Sequence, residues 1–246
     1  MTIRLFVAQA LTAGSEIALP AGAARHAQVR RVQPGDALVL FDGGGADWPA
    51  TVLAIGRSVV RVRVGTPIAV AAELPFALTL ALGMPANERM DAVVEKATEL
   101  GVGCIQPLHT ERSVLRLSGE RAERKRAHWQ AIAEAACEQC GRARVPVLAP
   151  VRTLADWLPT APLGLRLLLS LQPDAKPLSE RATGTAWSVT TTLNGPEGGL
   201  TPDEEALARR HGFLATAMGP RVLRADTAPL AALAWLALSR PDRDGP

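Results

Sequence analysis

The reading of the fold turns on Thr192-Leu193-Asn194-Gly195-Pro196-Glu197-Gly198-Gly199-Leu200, continued by Thr201-Pro202-Asp203-Glu204. A second loop follows at Met218-Gly219-Pro220-Arg221-Val222-Leu223-Arg224, running on to Ala228. Each loop leaves a short apolar run and opens into a helical pattern. In an open α/β sheet, ligands bind outside the carboxyl ends of the strands, so these two loops are the candidate site. Gly195, Gly198 and Gly199 permit backbone geometry that a Cβ blocks, and they let a ligand approach the main chain. Pro196 fixes one torsion and removes a donor. Thr201 reads as a helix N-cap, with Pro202 at the first helical position and Glu204 closing a capping box. The spacing is neither the G-x-G-x-x-G of a dinucleotide site nor a G-K-[ST] phosphate loop. A plain strand-to-helix turn is the alternative to a ligand site.

Working outward, Leu165–Leu171 is an apolar run broken only by Arg166, the pattern of a central parallel strand, and Ser170-Leu171-Gln172-Pro173 ends it. Leu78–Leu82, Cys104–Leu108, Trp187–Leu193 and Phe213–Met218 read as further strands. Met90, Val93, Val94, Ala97 and Leu100 mark one face of a helix capped by Asn87 and closed by Gly101. A long helix covers 120–140, and a last one carries Leu230, Leu233, Ala234 and Ala237 on one side. Strands alternating with helices predict an α/β fold with a mostly parallel sheet. Residues 1–70 differ: short apolar runs are separated by turn signals such as Pro20-Ala21-Gly22 and Pro34-Gly35-Asp36, which suggests a small β-barrel. Arg61 and Arg63 share one strand face, and Arg25, Arg30 and Arg31 lie near them in sequence, as a phosphate-contacting surface or as a solvated one. Proline-flanked residues 66–75 read as a linker, which gives domains 1–70 and 74–246. The tail after Ser239 is short and polar.

Composition sets limits. The 246 residues are 48% apolar and 21% charged, enough for a core and too mixed for disorder. A net charge of +3 permits an RNA partner through phosphate contacts without demanding one. Aromatic residues are scarce in the first 70 residues (Phe6, Phe41 and Trp48), so RNA there is expected to be read by shape and charge rather than by base stacking. The three cysteines suit a reducing compartment. Cys137-Glu138-Gln139-Cys140 is half a zinc pattern without its second pair, so no metal is expected. The N-terminus does not read as a signal peptide and no apolar run is long enough to span a bilayer, so the expectation is a cytoplasmic protein with no membrane partner.

Gly195–Gly199 followed by Gly219–Arg224 resembles the small-subunit ribosomal RNA methyltransferase E family. Other blocks are similar to it in order: His26–Arg31 with Gly35-Asp36, Glu95–Val102, Glu111-Arg112-Ser113, and Glu134–Arg142. Three positions depart from the family: Arg30 for leucine, Ala86 for lysine and Asp226 for glutamate. The resemblance implies methylation of N3 of a uridine in 16S rRNA of the small ribosomal subunit, with S-adenosyl-L-methionine as cofactor. It implies a SPOUT-class C-terminal domain with a deep trefoil knot, a PUA-like RNA-binding barrel at the N-terminus, and a homodimer. On this reading the cofactor contacts are Ser170, Leu171, Leu193, Asn194, Gly195 and Pro196, together with Gly198, Gly199, Met218, Gly219, Val222 and Leu223. RNA contacts fall to Arg25, Arg30, Arg31, Arg112 and Arg221. Arg224 or Arg142 would stabilise negative charge on the uracil carbonyls, and Glu197 is the nearest carboxylate, a base or an acceptor for loop amides. The competing readings are a non-catalytic RNA-binding or ribosome-assembly protein and, more weakly, an α/β nucleotide-binding enzyme.

Overall fold

The computed structural model describes residues 2–57, 59–182 and 188–239. The first residue of the expected strand Trp187–Leu193 and the polar tail lie outside them. The chain divides into two compact units, Met1–Glu73 with Glu134–Val145, and Leu74–Ala133 with Pro146–Pro246. The segment 134–145, expected in the second domain, therefore belongs to the first.

The first unit holds β1 (Ile3–Phe6), β2 (Glu16–Ala18), α1 (Ala21–Val29), β3 (Ala37–Phe41), β4 (Ala46–Ile55), β5 (Val60–Val64) and β6 (Ile68–Ala69). The strand order is β1-β3-β4-β5-β2, with β6 against β4; β1 and β3 are parallel and the other pairs antiparallel. Alternation puts Val60, Val62 and Val64 in the core and Arg61 and Arg63 outside, both on Glu16. Pro20-Ala21-Gly22, read as a turn, instead starts α1. Pro20 is its N-cap, and Ala23, Ala24 and Ala27 form a buried face of small side chains. Phe41 is fully buried, and it stacks with Phe6 at 5.5 Å and under Arg4 at 4.3 Å. That aromatic pair belongs to the core rather than to a base-stacking surface.

The second unit is built on β7 (Ala77–Gly83), β8 (Cys104–His109), β9 (Val147–Leu148), β10 (Arg152–Thr153), β11 (Leu165–Leu169), β12 (Lys176–Pro177), β13 (Val189–Asn194) and β14 (Leu214–Ala217). The order is β10-β8-β7-β13-β11-β14-β12, with β9 beside β8 and every pair parallel. Helices α2 (Asn87–Glu99), α3 (Gly119–Cys140, of which the residues from Glu134 on count with the first unit), α4 (Leu154–Trp157), α5 (Leu178–Arg181), α6 (Pro202–Arg210) and α7 (Thr227–Leu238) connect or follow the strands. The cap of α2 is Ala86, one residue before the expected Asn87, and it makes no side-chain cap bond. The short elements between 146 and 164 were not legible as such. They bury Leu154, Trp157 and Leu158 against Leu168, Leu193 and Phe213. Because β11, β13 and β14 are parallel neighbours, their carboxyl ends lie at one edge of the sheet. β13 enters between β7 and β11, both earlier in the chain, so consecutive strands are not sheet neighbours here.

Candidate active site

Three loops leave that edge and enclose a pocket of about 620 Å³, within the range of roughly 300–1,000 Å³ usual for small-molecule sites. The first loop follows β13. A Cβ at Gly195 would lie 2.5 Å from the backbone of Gly199 and Leu200, so the turn closes on itself only with glycine there. Gly199 has φ +69°, and its N–H donates to the Pro196 carbonyl at 2.8 Å. Two contacts hold the loop from outside. The Glu197 carboxylate accepts from the Ala86 N–H at 3.1 Å and from Arg89 Nη1 at 3.0 Å, through the same Oε1. Arg112 donates to the Gly198 carbonyl at 2.8 Å. The predicted capping box forms: Thr201 accepts from the Glu204 N–H and Glu204 from the Thr201 N–H. Glu204 also accepts from the Glu111 N–H at 2.9 Å, which ties the loop after β8 to the start of α6.

The second loop follows β14 and carries Met218, Gly219, Arg221, Val222 and Leu223 along the pocket. Val222 is 78% exposed, although it is apolar. Asn194 joins the two loops: its Nδ2 donates to the Gly195 carbonyl and to the Ala225 carbonyl, each at 3.1 Å. Its Oδ1 is buried and has no hydrogen-bond partner among the described residues. An unmatched buried acceptor costs roughly 1–3 kcal/mol, which the two bonds from Nδ2 offset.

The third loop follows β11. Ser170 is buried, and its N–H extends the ladder to the Thr216 carbonyl. Its hydroxyl accepts from the Gln172 N–H at 3.2 Å and donates to Glu205 Oε2 at 3.0 Å. Glu205 lines the pocket one residue beyond the capping glutamate. In the sequence it looked like a third acid of the helix's first turn, and nothing there marked it as facing a cavity.

The pocket therefore gathers Ser170, Leu171, Asn194, Gly195, Pro196 and Glu197, and also Gly198, Gly199, Met218, Gly219, Val222 and Leu223. Arg112 and Arg221 line it too. Leu193 does not: its side chain is fully buried in the core cluster. Arg224 is exposed on the second loop, outside the pocket lining, and its carbonyl accepts the first amides of α7. Arg142 has a carboxylate partner of its own. It belongs to the first unit, is 4% exposed, and meets Glu73 Oε2 through Nε at 3.1 Å and Nη2 at 2.8 Å. Its carboxylate partner lies inside its own unit, and Arg142 is not among the residues that line the pocket. Arg25, Arg30 and Arg31 are exposed in the first unit.

An RNA methyltransferase domain model matches residues 72–237 and an RNA methyltransferase PUA domain model matches residues 19–65. The chain is 33% identical over 240 residues to the ribosomal RNA small subunit methyltransferase E of Synechocystis, covering 96% of this chain and 77% of that relative. It is also similar to the crystal structure of ribosomal RNA small subunit methyltransferase E from Neisseria gonorrhoeae bound to S-adenosyl methionine. There the TM-score is 0.90 at 34% identity, covering 96% and 97% of the two chains. A Legionella pneumophila structure with the bound cofactor SAM matches with TM-score 0.91 at 33% identity, covering 97% and 98%.

Proposed function

The chain belongs to the ribosomal RNA small subunit methyltransferase E family, and from that premise we propose that it transfers a methyl group from S-adenosylmethionine to N3 of a uridine in 16S rRNA. The observation that carries this reading is the pocket formed jointly by the loops after β11, β13 and β14, in a fold shared with a relative bound to that cofactor. The residues present fit the cofactor. The volume suits it, and the glycines at 195, 198, 199 and 219 in the lining leave main-chain groups open to a ligand. The loops at Gly195–Gly199 and Met218–Leu223 would hold it, with Ser170 and Leu171 on the third side. When bound, it supplies an electrophilic methyl group on a sulfonium.

The protein's own task is alignment and proton handling. Holding the reactants in line supplies roughly 7–11 kcal/mol of the barrier. Asn194 keeps the two main loops at a fixed separation, and Arg112 and Arg89 brace the first of them. Uridine N3 carries a proton at neutral pH, and a positioned base contributes about 10²–10⁴-fold. Glu197 Oε1 is engaged by Ala86 and Arg89; we assign Oε2 to accept the imide proton. Arg221 lines the pocket, Arg224 follows it on the same loop, and both are exposed; their charge would stabilise the uracil anion and hold RNA phosphates. Arg25, Arg30 and Arg31 extend the RNA contact on the N-terminal domain, which we read as a PUA-like barrel.

The passage of β13 between β7 and β11 supports a deep trefoil knot. The nearly all-apolar α7 and exposed Leu238 support a homodimer. No helix among the described residues is long and apolar enough to cross a membrane, and we place the enzyme in the cytoplasm with its substrate. The test is incubation with labelled S-adenosylmethionine and either 16S rRNA or small subunits lacking the modification, followed by mass mapping. Methyl incorporation at a uridine base supports the reading; saturable cofactor binding with no incorporation into either substrate refutes it.

A further inference from the structure

Four charged residues line the pocket: Arg112, Glu197, Glu205 and Arg221. Arg112 is turned onto the carbonyls of Gly198 and Leu200, and Glu197 onto Arg89 and the Ala86 amide. Arg221 is exposed at the rim. Glu205 differs from all three. Its side chain is only 14% exposed, and one oxygen, Oε2, accepts from Ser170. Ser170 Oγ takes the Gln172 N–H as acceptor, so its own proton is committed to Glu205 and the chain fixes the carboxylate's direction. Arg209 is 3.9 Å away, but its short contacts, at 2.5 and 3.0 Å, go to Asp174. Glu205 Oε1 has no hydrogen bond to any described residue. The pocket thus contains one largely buried, oriented carboxylate whose charge the protein does not match closely. Such a group is stable when a cation joins it.

We propose that Glu205, held by Ser170, is a specificity-determining residue that binds a positively charged group of the methyl donor. This rests on the methyltransferase reading of the pocket. S-Adenosylmethionine offers two cations, the sulfonium and the ammonium of its amino-acid arm. The demethylated product keeps only the ammonium, and 5′-methylthioadenosine has neither. A hydrogen bond or contact to a charged partner in a partly buried site corresponds to about ten- to a hundredfold in affinity.

The experiment is calorimetric titration of wild type and Glu205→Gln with all three compounds. Glutamine keeps the size and the acceptor for Ser170 while removing the charge. If Glu205 faces the sulfonium, the variant binds the donor about ten- to a hundredfold more weakly and the product as wild type does. If it faces the ammonium, donor and product weaken alike and methylthioadenosine does not. Either result supports the proposal. Unchanged affinity for donor and product overturns it, as does an equal loss for methylthioadenosine, which would make Glu205 a part of the pocket's architecture. If wild type binds none of the three, the methyltransferase reading fails as well; if wild type binds the donor and the variant matches it, only the Glu205 assignment falls.

Discussion

Replacing Gly195 by alanine should damage the cofactor site far more than replacing Gly199, although Gly199 is the one with positive φ. At Gly195 the new Cβ would stand 2.5 Å from Gly199 C and Leu200 N, about 1 Å inside ordinary contact, and both are backbone atoms that cannot rotate away. The loop must open by roughly that distance. Overpacking of this kind costs about 1–3 kcal/mol, and a 1 Å misplacement near the reacting centre can cost about 10²-fold in rate. At Gly199 the added Cβ meets nothing within 4 Å, so only the left-handed backbone penalty applies, roughly 1–2 kcal/mol for one residue. Gly195→Ala should therefore lose S-adenosylmethionine affinity by well over tenfold with a melting point lowered by about 2–10 °C. Gly199→Ala should melt similarly and keep affinity within about tenfold. Titration calorimetry and thermal melts on the same preparations read both. Wild-type affinity in Gly195→Ala, or a larger loss in Gly199→Ala, would refute the claim that closure of this turn shapes the pocket.

Arg224→Ala should abolish methyl transfer while the donor's Kd stays unchanged, because the side chain is exposed beyond the pocket lining; turnover and calorimetry together check it. Arg142→Ala should cost about 1–3 kcal/mol of stability, because it removes the charge-assisted bonds of a buried guanidinium to the part-exposed Glu73, as seen in denaturant melts. If that variant is fully stable and only catalysis suffers, the structural role given to Arg142 is wrong. Burial and the nearby Glu138 carboxylate raise the Glu134 pKa. The neutral form is then the one the fold favours, and the ionised form weighs against folding as pH rises through and above the carboxylate range. Glu134→Gln should raise the melting temperature at pH 7 and leave it unchanged well below pH 4.

Most of the second unit was legible because its signals are periodic or punctuated. The apolar runs that became β7, β8, β11 and β14 are bounded by turn residues. The face Met90, Val93, Val94 and Ala97 of α2 is fully buried, as its spacing predicts. The box at Thr201 and Glu204 was written in residue type alone. What escaped had weak contrast. The buried face of α1 consists of alanines, which differ little from their polar neighbours in hydropathy, while its proline and glycine read as a turn. The elements between 146 and 164 are two to four residues long, too short for any period to show. Glu205 was hidden because the first turn of a helix favours acids for its dipole, so a carboxylate there announces nothing about a cavity.

Arg142 shows how little residue type alone says about a side chain's partner. The block Glu134–Arg142 matches in residue type, and an arginine after a helix-ending glycine is as suitable for a phosphate as for a carboxylate. The deciding partner, Glu73, lies 69 residues away in sequence, and only the folded chain brings it to Arg142. The departures from the family carry the complementary lesson. Ala86 stands where the resemblance implies a lysine, and its contact with Glu197 is made by the backbone N–H at the start of α2, which any residue but proline provides. The brace on the first loop is thus independent of the side chain at 86, and Arg89, one turn further on, adds the positive charge from the same helix. A charged side chain at 86 is therefore not needed to keep the loop's support in place.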